Sequence, residues 1–233
     1  MVTTSFLMVD GKIRNLPGHI DRIIAAVPTA PQFLDRITSQ LREAKGTVQA
    51  RVSIEANHYN VELRPARLKK TLVTMDSRGH RDERRHPLVK GKDVAWQNKV
   101  TAESKFQGAD DGLLVDESGR VIMAINSSLL AIQGDTVFHS THPRAMLSVL
   151  EEPILTYLQE QGCHAKPRPD GFNIEDLRAS EVWIIDSVDG ARLVNAWVEY
   201  GTKFPVPEKR PVASFVPTYS EVNDYLWSTA TPA

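Results

Sequence analysis

The chain has 233 residues, 41% of them apolar, enough to build a real core in one large domain or two small ones. Its formal net charge of −1 excludes the global basic field that would draw nucleic acid or an anionic membrane. Cys163 is the only cysteine, which excludes an intrachain disulfide and suits a reducing cytoplasm. Met1 to Lys12 lacks a signal-peptide pattern, and no apolar run approaches the roughly 20 residues of a membrane helix.

Ser5 to Val9 reads as a strand, Asp10-Gly11 as a turn, and Lys12 to Arg14 as the returning partner. His19 to Val27 is helical in pattern and carries Asp21 and Arg22. Pro31 to Ala44 is a second helix, with Phe33, Leu34, Ile37 and Leu41 as its apolar stripe and Gly46 as its stop. Val48 to Glu55 alternates, so Val48, Ala50, Val52 and Ile54 share one face. A turn near Asn57-His58 leads to a strand over Tyr59 to Leu63, and Leu72 to Met75 adds another. Residues 1–85 thus read as a small α+β domain, ending in a charged, solvated linker from Arg78 to Arg85.

Asp93 to Gln107 reads as a helix capped by Asp93, with Trp96, Val100 and Phe106 toward the core. Strands follow over Leu113 to Val115 and Val121 to Met123, around the turn at Asp116 to Gly119. Leu129 to Ile132 and Thr136 to Phe138 form a hairpin, and Val149 to Glu160 a helix. Asn173 caps a short helix over Ile174 to Leu177. Val182 to Ile185 and Ala191 to Val198 are strands, and Ser220 to Trp227 closes the chain as a helix. Residues 86–233 read as a larger α/β domain. His139 and His142 have no third candidate ligand near them in sequence and read as loop histidines rather than a metal site. The chain has neither a glycine-rich dinucleotide fingerprint nor a Walker-type loop.

Four stretches go beyond fold. They are His86-Pro87-Leu88-Val89-Lys90-Gly91-Lys92-Asp93, His19-Ile20-Asp21-Arg22, Leu147-Ser148-Val149-Leu150-Glu151, and Glu181 to Val194. In their order and spacing they resemble the class IV aminotransferases, which are pyridoxal-phosphate (PLP) enzymes of fold type IV. The Pro87–Asp93 stretch and the Ser187–Arg192 turn look most like the 4-amino-4-deoxychorismate lyase-like group. The resemblance implies the two-domain, D-amino acid aminotransferase-like fold: a small α+β domain over 1–85 and a larger α/β domain over 86–233. It also implies PLP as cofactor, an amine or amino acid as substrate, and a homodimer. Nucleic acid and membrane are not expected as partners.

The resemblance also implies roles. Lys90 forms the imine with PLP, Lys92 being the second choice. Arg22, the Ser187 hydroxyl and the backbone N–H groups of Val149 and Leu150 hold the phosphate. Arg192 meets a substrate carboxylate. Where relatives carry a glutamate for the pyridine nitrogen this chain has Met123, and where they carry an asparagine it has Ser128, with Asn126 two residues early. A thioether cannot keep the ring nitrogen protonated. The activity implied first is pyruvate elimination from aminodeoxychorismate to give 4-aminobenzoate for folate synthesis. The alternatives are a branched-chain or D-amino acid aminotransferase, or a PLP-binding protein with little catalysis.

Overall fold

The computed structural model describes residues 1–55, 58–67, 70–207 and 210–233, and every structural statement below concerns those residues. Val2–Val9 (β1) runs into Asp10-Gly11, where φ is 47° and 79°, and Lys12–Ile13 (β2) returns along it. Leu16–Ala26 (α1) starts three residues before His19. Asn15 accepts the Gly18 N–H, and Pro17 suits the first turn, where no N–H is needed. A 3-10 turn over Ala30–Phe33 precedes Leu34–Arg42 (α2), so the expected Pro31–Ala44 helix is split in two. Thr47–Glu55 (β3) pairs with all of β1. Of the expected turn at Asn57-His58, Asn57 lies outside the described residues and His58 already opens His58–Pro65 (β4).

The chain continues through Leu72–Arg81 (β5), Val94–Phe106 (α3), Asp111–Val115 (β6), Val121–Ala124 (β7), Ser128–Gln133 (β8) and Thr136–Ser140 (β9). Then come Glu151–Glu160 (α4), His164–Arg168 (β10), Ile174–Arg178 (α5), Glu181–Asp186 (β11), Gly190–Glu199 (β12), Thr202–Pro205 (β13), Tyr219–Ser228 (α6) and Thr231–Pro232 (β14). One sheet has the order β14-β2-β1-β3-β4 and is antiparallel throughout. The other has the order β10-β9-β8-β11-β12-β5-β6-β7, with β13 on β12. The alternation read at Val48–Glu55 holds: Ala50, Val52 and Ile54 pack with Phe6, Met8, Ile23, Ile37 and Leu41. The larger sheet carries one core around Trp183, Ile185 and Leu158 and another around Met75, Leu113 and Ile184.

Three expectations are corrected. Leu72 to Met75 belongs to the larger sheet: β5 lies parallel to β12 and to β6, and Val73 and Met75 pack on Leu113 and Val194. The two sheets therefore part between β4 and β5, not after Arg85. The charged run is not a solvated linker either, because Arg78 to Arg81 complete β5 and Arg84 is 3% exposed. Phe106, expected inward, is 88% exposed. It lies six residues after buried Val100, about 240° round the helix.

Candidate active site

β1 presents one stretch of its edge to the larger sheet. The Thr3 N–H donates to the Lys90 carbonyl at 3.0 Å, and the Leu7 N–H to the Ser187 carbonyl at 3.3 Å. Between them, the Ser187 hydroxyl donates to the Ser5 carbonyl. Two loops far apart in sequence, 86–93 and 186–190, thus meet on one strand edge.

The Lys90 loop is held rigid. Asp93, expected as a helix cap, instead accepts the backbone N–H groups of Arg85 at 3.1 Å and His86 at 2.8 Å. Gly91 has φ 100°, and a Cβ there would meet Thr3 Oγ1 at 2.9 Å, so glycine is required. Burial, and then the charge of Arg22, push the Lys90 amine down to about 8, against the pull of Asp186. Lys92, by contrast, is exposed. A lysine near 8 is about one tenth unprotonated at pH 7 and about half at pH 8, far more than an ordinary lysine, and attack on a carbonyl requires that form.

The N-terminal end of α1 clamps the loop that enters α4. Arg22 Nη2 donates to the Leu147 carbonyl and Asn15 Nδ2 to the Val149 carbonyl. A groove of about 810 Å³ opens there, lined by Asn15, Arg22, Ser148, Val149 and Glu151 among others, but not by Lys90. His19 is buried, with Nδ1 2.6 Å from Thr4 Oγ1 and Nε2 without a partner. Burial, then the charges of Lys90, Arg22 and Arg14, hold it near 3, so it is neutral at physiological pH.

The remaining expected residues divide. Ser128 is buried, its hydroxyl accepting the Ser148 N–H at 3.3 Å. The Leu150 N–H already donates to Ser148 Oγ at 3.2 Å, and α4 starts at Glu151 rather than Val149. Asn126 is not brought to the others: it is exposed and donates to Thr101 Oγ1 at 2.9 Å. Met123 is 1% exposed, its sulfur accepting from the Met146 N–H at 3.3 Å and Arg84 Nη1 at 3.5 Å. Behind it, the Asp82 carboxylate receives Arg84 Nε at 2.8 Å, Arg84 Nη2 at 2.9 Å and Arg144 Nε at 2.9 Å. Arg192 Nη2 meets Asp186 Oδ2 at 2.6 Å, so it is already paired with a carboxylate of its own chain.

Several contributors were not found in the sequence. Arg14 donates to the carbonyls of Ser187 and Val188 at 3.3 and 2.8 Å, while its Nε and Nη1 stay unpartnered. Asp111, beside Arg192 and Asp186, is pushed up to about 6 by burial. Glu151 is buried with both oxygens unpartnered, Oε1 lying 3.6 Å from His139 Nδ1. Glu151 closes the Leu147–Glu151 stretch but carries no role in the motif, and Arg14 and Asp111 belong to none of the four stretches.

Lys90, Arg22, Arg14 and neutral His19 form a cationic, under-partnered cluster, a donor set that fits a carbonyl compound with an anionic tail. The sequence profile of the family described as amino-transferase class IV matches residues 1–197, and the chain belongs to that family. Its cofactor is PLP, and the chain is an enzyme.

Solved structures share the fold. The fold IV-transaminase CpuTA1 from Curtobacterium pusillum superposes with a TM-score of 0.75 at 17% identity, over 97% of this chain and 85% of that one. A hypothetical aminotransferase from Mycobacterium tuberculosis, in PLP-bound form, gives 0.75 at 15% identity, over 97% and 88%. The branched-chain amino acid aminotransferase from Escherichia coli gives 0.73 at 13% identity, over 98% and 84%. No curated protein sequence matches the chain closely enough to count as a relative. Among the described residues no helix is long and apolar enough to cross a membrane.

Proposed function

We propose that Lys90 forms the imine with PLP, that Arg22 and Ser187 hold its phosphate with the Val149 N–H, the Leu150 N–H being taken by Ser148, and that the reaction is an elimination of the aminodeoxychorismate lyase type. The observation that carries the reading is the desolvated Lys90 amine, near 8, in a loop pinned to β1 beside Arg22. When bound, PLP supplies an electron sink for the carbon next to the substrate nitrogen. Lys90 then serves as the proton carrier at that carbon. His19 stays neutral and keeps its Nε2 available as a hydrogen-bonding atom.

Met123 favours elimination over transfer. A thioether gives the pyridine nitrogen no anionic partner, and the buried cation behind it is Arg84. Proton loss that ends in an aromatic product draws less on the ring as a sink than amino-group transfer does. The second reading is a branched-chain or D-amino acid aminotransferase, the branched-chain form being the one the Escherichia coli neighbour's description supports. Supplying a 2-oxo acid and following amino-group transfer separates the two.

We further propose a cytoplasmic homodimer. Leu88, 61% exposed and two residues from Lys90, is an apolar position such an interface would cover. Sedimentation equilibrium reads the state directly.

The Lys90 assignment is tested by the absorbance of PLP-loaded protein before and after borohydride, followed by peptide mapping. The pyridoxyl group is expected on Lys90. Finding it on Lys92 would shift the register by two residues and overturn the assignment.

A further inference from the structure

Asp186 stands where β11 turns toward β12. Its Oδ1 accepts the N–H groups of Val188 and Asp189, each at 2.8 Å, and its Oδ2 accepts Arg192 Nη2 at 2.6 Å. Two backbone amides and a guanidinium are the donors an incoming carboxylate would seek. Here a carboxylate of the chain itself holds all three. Arg192 Nη1 also faces Asp189 at 3.6 Å, and Nη2 meets Ser127 Oγ at 3.4 Å.

The turn is locked from behind. Arg14 holds the carbonyls of Ser187 and Val188 and stacks 4.6 Å over Trp227. At Gly190, with φ 80°, a Cβ would meet Asn223 Oδ1 at 2.1 Å and Arg14 Nη1 at 2.5 Å. Asp186 is thus a tethered ligand for Arg192, and a free carboxylate must compete with it at a high effective concentration. That competitor also meets the charges of Asp186 and Asp189, whereas an ammonium group is attracted by them.

We infer that Asp186 fills the carboxylate seat beside Arg192, so that the amine taken at this site bears no carboxylate on its nitrogen-bearing carbon. The inference rests on the reading of Lys90 as the reacting amine. It revises the role of Arg192 from substrate ligand to holder of Asp186. An amine on a ring carbon, as the elimination reading requires, meets the condition. A 2-amino acid does not.

The test uses a matched pair: 2-aminopropane, and alanine in both enantiomers, which differ from it by a carboxylate in place of one methyl. The PLP-loaded protein is titrated with each and followed by the cofactor's absorbance. The wild type is expected to respond to 2-aminopropane at a concentration at least tenfold lower than to either alanine. Asp186→Ala is expected to improve the response to alanine at least tenfold, and Asp186→Ala with Arg192→Ala to lose that gain. A wild type that takes alanine as readily as 2-aminopropane overturns the inference. So does a gain that survives removal of Arg192.

Calorimetric titration of the cofactor-free protein with propionate is independent of the Lys90 reading. Binding is expected in Asp186→Ala and not in the wild type, and equal binding in both overturns the inference. Should Asp186→Ala fail to fold by circular dichroism, Asp186→Asn replaces it. That variant keeps an acceptor for the two N–H groups and removes the charge. An absent cofactor spectrum in the wild type sinks the Lys90 assignment instead, and the propionate titration still decides the fate of Asp186.

Discussion

Two partly buried cationic clusters lie in this protein, and they are finished to different degrees. At Asp82, Arg84 and Arg144 every charge has a partner: the carboxylate takes four N–H donors, and Arg84 also donates to the carbonyls of Pro87 and Arg144. At Lys90, Arg22 and Arg14, positive groups crowd one another around neutral His19, and Nε and Nη1 of Arg14 and Nε2 of His19 have no partner. A satisfied cluster holds structure. An unsatisfied one is kept for something that arrives later, since buried polar groups left alone are costly.

The contrast breaks most visibly by removing one member of each cluster. Arg84→Ala leaves the Asp82 carboxylate with Arg144 and the backbone N–H of residue 84, and loss of one partner of a buried pair costs about 3–5 kcal/mol. Urea denaturation should show a loss of unfolding free energy of that size, with an unchanged slope and a lower midpoint. Arg22→Ala should leave folding nearly unchanged and weaken PLP instead. A charge-assisted hydrogen bond contributes about 1.5–3 kcal/mol against about 0.5–1.5 for a neutral one, so Ser187→Ala should weaken PLP less. Equilibrium dialysis with PLP ranks the two, and equal losses would remove Arg22 from its assigned role.

pH sharpens the same comparison. His19 is held near 3 in the fold, below its ordinary 6.5. The unfolded chain therefore binds the extra proton between those values, and stability falls as pH drops through that window. The contribution is about 1.4 kcal/mol per pH unit, and denaturation of His19→Gln should show a shallower acid limb. Lys90 is depressed to about 8, so below that pH its burial as a cation is a cost that fades as pH rises toward 10.5. Chemical labelling of the Lys90 amine should be half-maximal near pH 8, and Arg22→Ala should move that midpoint upward. The smallest effect is expected of Met123→Glu. The new carboxylate would have Arg84 beside it and offer the ring nitrogen an anion. Deuterium exchange at the α-carbon of a bound amine should quicken, and unchanged exchange in a folded, PLP-loaded variant would mean another group serves that nitrogen.

Much of this fold was legible where a rule is local. Alternation gave β3, and the Asp10-Gly11 turn gave the first hairpin. Motif spacing singled out Lys90 and Ser187, whose loops meet on the edge of β1, and Arg22, which lies on α1 close enough for its charge to act on Lys90. What stayed hidden depends on pairs remote in sequence. Arg14 and Val188 are 174 residues apart, and no pattern around either announces the other. Arg84 looked solvated because charge in a run ordinarily is; only Asp82 and Arg144 make its burial possible. Asp186 lay just past the strand read over Val182 to Ile185 and had no role there, since its carboxylate acquires meaning only once Arg192 folds back upon it.

The edge of β1 has one more consequence. Lys90 is fastened at Thr3 and Ser187 at Leu7, four residues further along, which is about 13 Å of extended chain. β1 is therefore a ruler for the active site. Its graduations are fixed by eight residue pairs with β3, from Val2 opposite Ile54 to Val9 opposite Thr47. The loops bearing Lys90 and Ser187 are free to vary in length without altering the interval between their anchor points. A two-residue slip of β1 along β3 would carry both marks together, leaving the interval intact while displacing the pair from Arg22 and α4.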